Sequence, residues 1–334
     1  MSSRSASPPA AELARGVQSG DRRAVAKAIT LLESRRAEDF EHGLDLLELL
    51  VSHSGGGLRV GVSGPPGVGK SSWIEALGLF LIERGHRVAV LAVDPSSPLT
   101  GGSILGDKTR MARLSQDERA FIRPTPSRGT LGGVAQRTRE ATLVCEAAGY
   151  DVVLIETVGV GQSETEVASM VDFFALLLQP GAGDELQGIK KGVVELADAL
   201  LVNKADGDQV QAAERSRADY SAALRLLRPP SAVWSPPVSC TSALEGTGIP
   251  EFWSAVLKHR EAFQGSGEFE ARRRKQARTW LWALLDQGLG EAFRQDPRVS
   301  AKLPGILERV ESRVQAPPRA ARELLRSFLQ GQRD

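Results

Sequence analysis

A chain of 334 residues, 41% hydrophobic and 25% charged, can form one large α/β domain with helical additions or two small domains, and this average composition points away from a disordered or membrane-embedded chain. With 42 lysines and arginines against 41 aspartates and glutamates the formal net charge is +1, so no overall basic field attracts nucleic acid or anionic lipid, and any anion site must be local. Cys145 and Cys240 are too few and too far apart for a disulfide framework and read as reduced thiols, while His42, His53, His86 and His259 fall in no metal-ligand spacing.

In chain order, residues 1–10 are rich in serine and proline and lack the apolar core of a signal peptide. Arg4, Arg15, Arg22 and Arg23 hint at an organelle transit peptide, but Glu12 and Asp21 interrupt them, so a cytoplasmic location is expected. No stretch approaches the ~20 consecutive apolar residues of a membrane span. From 11 to 51 apolar residues recur at helical intervals, as in Val25, Ile29, Leu31 and Leu32, then Leu44, Leu46, Leu47, Leu49 and Leu50. Ser54-Gly55-Gly56-Gly57 ends this pattern, making residues 1–56 an N-terminal helical extension.

Residues 58–62 are β-prone and lead through a glycine-rich turn into a helix-like stretch over 71–84. Similar β-prone runs return at 88–93, 151–155, 173–178 and 199–202, separated by helix-length segments, with weaker candidates at 121–122 and 237–240. The alternation predicts an α/β fold over 57–264, a mostly parallel sheet covered by helices on both faces. Past Gly265-Ser266-Gly267 the pattern is helical to residue 334. Trp280, Leu281, Leu284 and Leu285 mark one apolar face, Pro304, Pro317 and Pro318 punctuate the stretch, and 319–330 is amphipathic through Leu324, Leu325 and Phe328. Those faces either pack against another subunit or dock back on their own domain; the sequence leaves both open.

The strongest motif is Gly64-Pro65-Pro66-Gly67-Val68-Gly69-Lys70-Ser71, followed by Ser72, lying between a predicted strand and a predicted helix. It matches G-x-x-x-x-G-K-[ST], the P-loop: glycines let backbone N–H groups turn around phosphate oxygens at a helix N-terminus, the lysine reaches the β- and γ-phosphates, and the serine hydroxyl ligates Mg²⁺. Asn203-Lys204-Ala205-Asp206 follows a predicted strand and selects the base, because the Asp206 carboxylate can accept both the N1–H and the exocyclic amine of guanine, a donor pair adenine lacks. Ser242-Ala243-Leu244, one βα unit later, fits the usual order of G-protein motifs but is weak alone. Glu156, in Ile155-Glu156-Thr157-Val158-Gly159 at the end of an apolar strand, occupies the place of the second metal carboxylate, and the Gly159 N–H could sense the γ-phosphate, making a switch. Asp94 ends a strand and opens a loop rich in serine, glycine and proline, and by spacing alone Asp107 is as well explained by a solvated helix start as by catalysis.

With these residues in view, the chain resembles the MeaB/MMAA family of G proteins, also labelled ArgK. The matching runs include Val93-Asp94-Pro95-Ser96-Ser97-Pro98, Gly106-Asp107-Lys108-Thr109-Arg110, Glu156 through Gly159-Val160-Gly161-Gln162-Ser163-Glu164, and Pro180 through Gly183-Asp184-Glu185-Leu186-Gln187-Gly188-Ile189-Lys190-Lys191-Gly192. The resemblance covers the helical lead-in, the nucleotide domain and the tail. It implies a Mg²⁺ site of Asp94, Asp107 and Glu156 beside Ser71, an additional switch at 183–192 in which Lys190 senses nucleotide and partner together, and a dimerisation arm at 265–334 that gives a homodimer. It further implies slow GTP hydrolysis to GDP and phosphate, accelerated by an adenosylcobalamin-dependent acyl-CoA mutase of the methylmalonyl-CoA mutase type, to gate cofactor loading and protection of that mutase. Whether a cobalamin adenosyltransferase joins is left open. No arginine finger is assignable, and Gln162 is a candidate for orienting the attacking water or a structural polar residue. A metal-delivery GTPase would need a cysteine- or histidine-rich loop, which the sequence lacks. The alternative enzyme reading is a kinase transferring phosphate to a protein or small molecule. A nucleotide-dead adaptor sits badly with intact Lys70, Ser71 and Glu156.

Overall fold

The computed structural model describes residues 10–34, 36–94, 111–126, 131–157, 163–181, 191–225 and 231–330. Three helices come first: α1 (Ala10–Gln18), α2 (Arg22–Leu32) and α3 (Ala37–Val51). Asp21 starts α2 by accepting the Arg23 N–H at 2.8 Å, which satisfies a donor that the helix itself cannot. Val25, Ala28, Ile29 and Leu32 fall on one face and are buried. With Leu13, Val17, Leu46 and Leu50 they join the core around Tyr150, Val153 and Ile155.

Among the described residues, seven strands form one sheet: β1 (Leu58–Ser63), β2 (Val88–Asp94), β3 (Ala120–Pro126), β4 (Val152–Thr157), β5 (Phe173–Leu178), β6 (Ala199–Val202) and β7 (Val238–Cys240). Their spatial order is β3-β2-β4-β1-β5-β6-β7, and every pairing is parallel. The central β1 is held on both sides, Val60 pairing with Leu154 and with Phe173. All residues of β4, β5 and β6 are buried, as expected for strands covered on both faces, which is why their sequences read as apolar runs rather than alternations.

Each face has its own core. Val60, Val62, Leu154, Phe173 and Leu177 meet α4 (Lys70–Glu83) and α10 (Ile249–Ser266) through Trp73, Leu77, Phe252 and Val256. On the opposite face Val153, Ile155, Phe174 and Leu178 meet α6 (Leu131–Ala147), α7 (Ser163–Ala168) and α9 (Val210–Arg225) through Val144, Val167 and Ala213. Two short helices, α5 (Ala112–Gln116) and α8 (Lys191–Val194), complete the connections. Cys145 is buried and Cys240 half-buried, both as free thiols, and burial pushes the Cys145 thiol far above its ordinary value. His259 is structural: buried, it stacks on Phe263 at 4.0 Å and meets Phe173 and Trp234 edge-on.

The amino ends of the strands carry a buried ionic network. Asp172, just before β5, is 1% exposed and accepts the Arg59 N–H at 2.9 Å and the Arg273 guanidinium at 2.6 and 2.8 Å. Arg273 also donates to the carbonyls of Gly55 and Gly57, so it pins the chain entering β1. Asp198, just before β6, accepts the Phe174 N–H at 2.9 Å and Arg272 at 3.1 and 3.3 Å. Glu146 binds the Arg59 fork at 2.7 and 2.8 Å.

The chain divides into two compact units, Met1–Arg274 and Lys275–Asp334, and α11 (Glu268–Gln295) runs from one into the other. The second unit contains α12 (Pro297–Glu311) and α13 (Pro317–Gln330) around Val299, Ile306, Ala320 and Leu324. Asp296 caps α12 through the N–H groups of Arg298 and Val299 at 2.8 and 3.2 Å. Pro317 opens α13, as the sequence suggests, but Pro304 lies inside α12 rather than ending it. A proline there removes only one helical donor, while Val299 and Ile306 on either side remain anchored in the core. Leu281, Trp282, Leu285 and Leu289 are exposed. Among the described residues no helix is long and apolar enough to cross a membrane.

Candidate nucleotide-binding site

The site lies at the carboxyl ends of the parallel strands, where β1 gives way to α4. Gly64 follows β1 with φ +151°, and a Cβ there would run into the Leu177 carbonyl oxygen of buried β5, so only glycine fits. Three successive carbonyls of the loop are then turned toward side chains from β5 and β6: Gln179 Nε2 donates to Pro66 O at 3.4 Å, Lys204 Nζ to Gly67 O at 2.7 Å, and Asn203 Nδ2 to Val68 O at 2.8 Å. In a trans peptide the C=O and the following N–H point in opposite directions, so turning these carbonyls outward aims the amides of Gly67 and Gly69 the other way, while the Val68 N–H makes a long bond to Pro65 O at 3.4 Å within the loop. The loop thereby presents amides at the N-terminus of α4, an arrangement suited to phosphate.

Lys70 is 8% exposed and donates to Gly64 O at 2.7 Å and Pro65 O at 3.1 Å. Burial pulls its ammonium below the ordinary lysine value, and the charges of Glu156 and Glu164 oppose that shift. Ser71 Oγ donates to Glu156 Oε1 at 3.0 Å, uniting the P-loop serine with the carboxylate at the end of β4. Beside them the Thr157 hydroxyl donates to Ser63 Oγ at 2.7 Å, tying the ends of β4 and β1 together. Among the described residues no three His, Cys, Asp or Glu side chains converge as a metal cluster. Ser71 and Glu156 nevertheless form a pair of hard oxygen donors of the kind Mg²⁺ takes.

At the base end, Asn203 is 1% exposed and its N–H bonds Leu178 O at 2.9 Å. Lys204 takes φ +62°, which swings its side chain back over the P-loop. The buried Ser242 hydroxyl donates to Asp206 Oδ2 and in turn accepts the Glu245 N–H at 3.1 Å, so the carboxylate is fixed before any base arrives. Ala243 is half-buried, whereas Leu244 is 86% exposed and contributes no buried side chain.

The structure thus brings Gly64 through Ser71, Ser72 in the first turn of α4, Glu156, Asn203, Lys204, Asp206 and Ser242 to one edge of the sheet. Asp94 closes β2 next to Pro126 of β3, and its side chain lies outside the described residues. Asp107, Gly159, Gln162 and Lys190 also lie outside them. Thr157 lies in the Glu156 motif but was given no role there, and Gln179 and Thr241, whose hydroxyl bonds Asn203 Oδ1 at 3.4 Å, have no motif of their own. Only the place of Gln179 and Thr241 after apolar strands could have drawn attention to them.

Residues 25–298 match the model of a family described as methylmalonyl Co-A mutase-associated GTPase MeaB. The chain is 52% identical over 271 residues to the GTPase ArgK of Escherichia coli (strain K12), covering 81% of this chain and 82% of that protein. It is 48% identical over 323 residues to the mitochondrial methylmalonic aciduria type A homolog of Mus musculus, covering 94% and 78%. The crystal structure of an LAO/AO transport system kinase superposes with a TM-score of 0.78 at 39% identity, covering 98% of this chain and all of that one. A match over most of the length, joined to a P-loop braced by an N-K-x-D segment, places the chain in the MeaB family of P-loop GTPases, and it is a GTP hydrolase.

Proposed function

We propose that this GTPase couples Mg²⁺-dependent hydrolysis of GTP to cofactor loading and protection of an adenosylcobalamin-dependent acyl-CoA mutase. The observation that carries the reading is the match of residues 25–298 to a family named for association with methylmalonyl-CoA mutase. The relative named for methylmalonic aciduria supports it.

In this reading the P-loop amides and Lys70 hold the β- and γ-phosphates, and Asp206, steadied by Ser242, accepts the guanine N1–H and amine. Ser71 and Glu156, with Asp94 and Asp107, hold the metal. Mg²⁺ when bound supplies charge neutralisation on the β- and γ-oxygens. Lys190 in the switch at 183–192 reads nucleotide and partner together. The exposed apolar residues Leu281, Trp282, Leu285 and Leu289 of α11 belong to a homodimer contact. A cobalamin adenosyltransferase is a further candidate partner. The kinase named for the similar crystal structure does not carry over: an acceptor would have to compete with water, and the family match supports water.

Steady-state hydrolysis of GTP and ATP, measured alone and with an added adenosylcobalamin-dependent mutase, tests the reading. The expected result is slow turnover of GTP only, accelerated by the mutase. Equal rates with and without every such mutase tried would overturn the chaperone role and leave the hydrolase.

A further inference from the structure

Glu164 lies in the first turn of α7 and is 9% exposed. α7 packs against β1, β4 and β5, the strands whose ends carry the P-loop, Glu156 and Gln179. The approach is close because β1 has a glycine there: a Cβ on Gly61 would stand 2.9 Å from Val167 Cγ1. The Glu164 charge also opposes the effect of burial on the Lys70 ammonium, in keeping with a helix packed on the strands that end at the P-loop and Glu156. Yet its Oε2 is buried and accepts no hydrogen bond from any described residue.

A buried carboxylate oxygen without a donor is costly, and a sequence free to choose glutamine or an apolar residue would avoid it. The cost is removed when the bound state supplies a donor. Phosphate oxygens cannot, since they accept. Water can, and the water nearest such a site is held by the metal: Mg²⁺ dehydrates reluctantly, keeps several of its waters, and relies on surrounding acceptors to orient them. Ser71 and Glu156 are already bonded to each other, so they are placed for the metal itself rather than for its outer water.

We infer that Glu164 is a positioning residue of the hydrolytic site, its Oε2 accepting a hydrogen bond from a water on the nucleotide-bound Mg²⁺. Glu164 therefore sets how strongly the metal tightens nucleotide binding. It contributes little to the nucleotide alone, and it is a liability in the empty protein.

The inference rests on Mg²⁺-assisted binding, so the wild type is measured first: release of a fluorescent GDP analogue across a Mg²⁺ series and in EDTA. Wild-type release that ignores Mg²⁺ would overturn the metal-assisted reading as a whole. With that dependence present, Glu164→Gln should raise the Mg²⁺ concentration for half-maximal tightening roughly 10-fold or more, the usual effect of losing an outer-shell partner. Affinity in EDTA should stay within about threefold, and the Tm of the nucleotide-free protein should be unchanged or higher. A lowered empty-state Tm with an unaltered Mg²⁺ series would make Glu164 a structural counter-ion of Lys70 and overturn the inference alone. Tighter binding in EDTA with the same Mg²⁺ series would equally overturn it, showing an electrostatic brake. Glu164→Ala, which cannot substitute an amide for the carboxylate, should repeat the Mg²⁺ shift; its failure to do so would also sink the idea.

Discussion

Replacing Asp206 by asparagine tests base selection most directly. Its carboxylate faces the base end with one oxygen steadied by the Ser242 hydroxyl, itself buried and bonded to the Glu245 N–H. Each carboxylate oxygen offers about two acceptor positions, so Oδ2 can keep Ser242 and still take a guanine donor. Hydrogen bonds to a charged group contribute about 1.5–3 kcal/mol each, so the guanine N1–H and amine together discriminate by about 3–6 kcal/mol against a base lacking them. Asparagine keeps one acceptor, loses the charge and turns an NH₂ toward the guanine amine, or toward Ser242 if flipped. We expect a loss of about 2–4 kcal/mol, or roughly 30- to 1000-fold in GDP affinity. Adenine nucleotides should change little. Xanthine nucleotides, whose C2 carbonyl can accept from the new amide, should bind the variant better than they bind wild type. Competition against a fluorescent GDP analogue by GDP, ADP and XDP measures all three. GDP affinity within threefold of wild type would refute the assignment of Asp206 to the base.

Lys70→Ala removes a buried ammonium held at the Gly64 and Pro65 carbonyls, and GTP binding should fall at least 100-fold by calorimetry; unchanged turnover would remove the P-loop lysine from the mechanism. Arg273→Ala strips Asp172 of two charge-assisted bonds while leaving it buried, which should cost about 3–5 kcal/mol and lower the Tm by roughly 6–15 °C. A Tm change below about 2 °C in differential scanning calorimetry would contradict that account. Asp198 gives a pH prediction: burial pushes its carboxyl up, but the His259 ring nitrogen 3.4 Å away and the bonds from Arg272 outweigh burial and hold it below the ordinary carboxylate range. A depressed native value means the stabilisation is present above the unfolded value of about 4 and is lost as pH falls through the native one. The stability gap between wild type and Arg272→Ala, from urea unfolding, should therefore be full near pH 6 and close below about pH 4; a constant gap from pH 3 to 7 would count against it.

The sequence displayed its central strands well because they are buried on both faces, leaving unbroken apolar runs such as Phe173–Leu178. It showed the edge strands poorly. β3 spans Ala120–Pro126, yet only Phe121 and Ile122 read as strand, because Arg123 and Pro124 follow; an edge strand tolerates both, and Arg123 is used to reach Glu33, just past the end of α2. The nucleotide site was legible where function is compressed into short motifs, as in Gly64 through Ser71 and Asn203 through Asp206. It was not legible where one motif holds another. Asn203 and Val68 are 135 residues apart, and nothing local to either says that the asparagine amide closes on the loop carbonyl. The same limit hid Gln179 and left Glu164, quoted only as the end of a matching run, without a role, since both take their meaning from the strands and helix that carry them.

The two ends of the sheet are charged on different principles, and this bears on how a switch can work here. At the amino ends Glu146, Asp172 and Asp198 are each matched by an arginine and by a backbone N–H, so their bonds are complete within the protein and no ligand is needed. At the carboxyl ends Lys70 donates, among the described residues, to the neutral Gly64 and Pro65 carbonyl oxygens, while Glu164 Oε2 has no described donor. Bonds to an ionised partner are roughly twice as strong as neutral ones, so phosphate improves what Lys70 already has. Rearrangement on nucleotide binding would therefore be favoured at the carboxyl edge: groups there gain from exchange of partners, whereas breaking a matched pair at the amino edge would cost several kcal/mol. The strands between the two edges form a frame whose matched pairs oppose shearing, so a change in shape on hydrolysis, if the proposed switch operates, would cost least at the carboxyl edge.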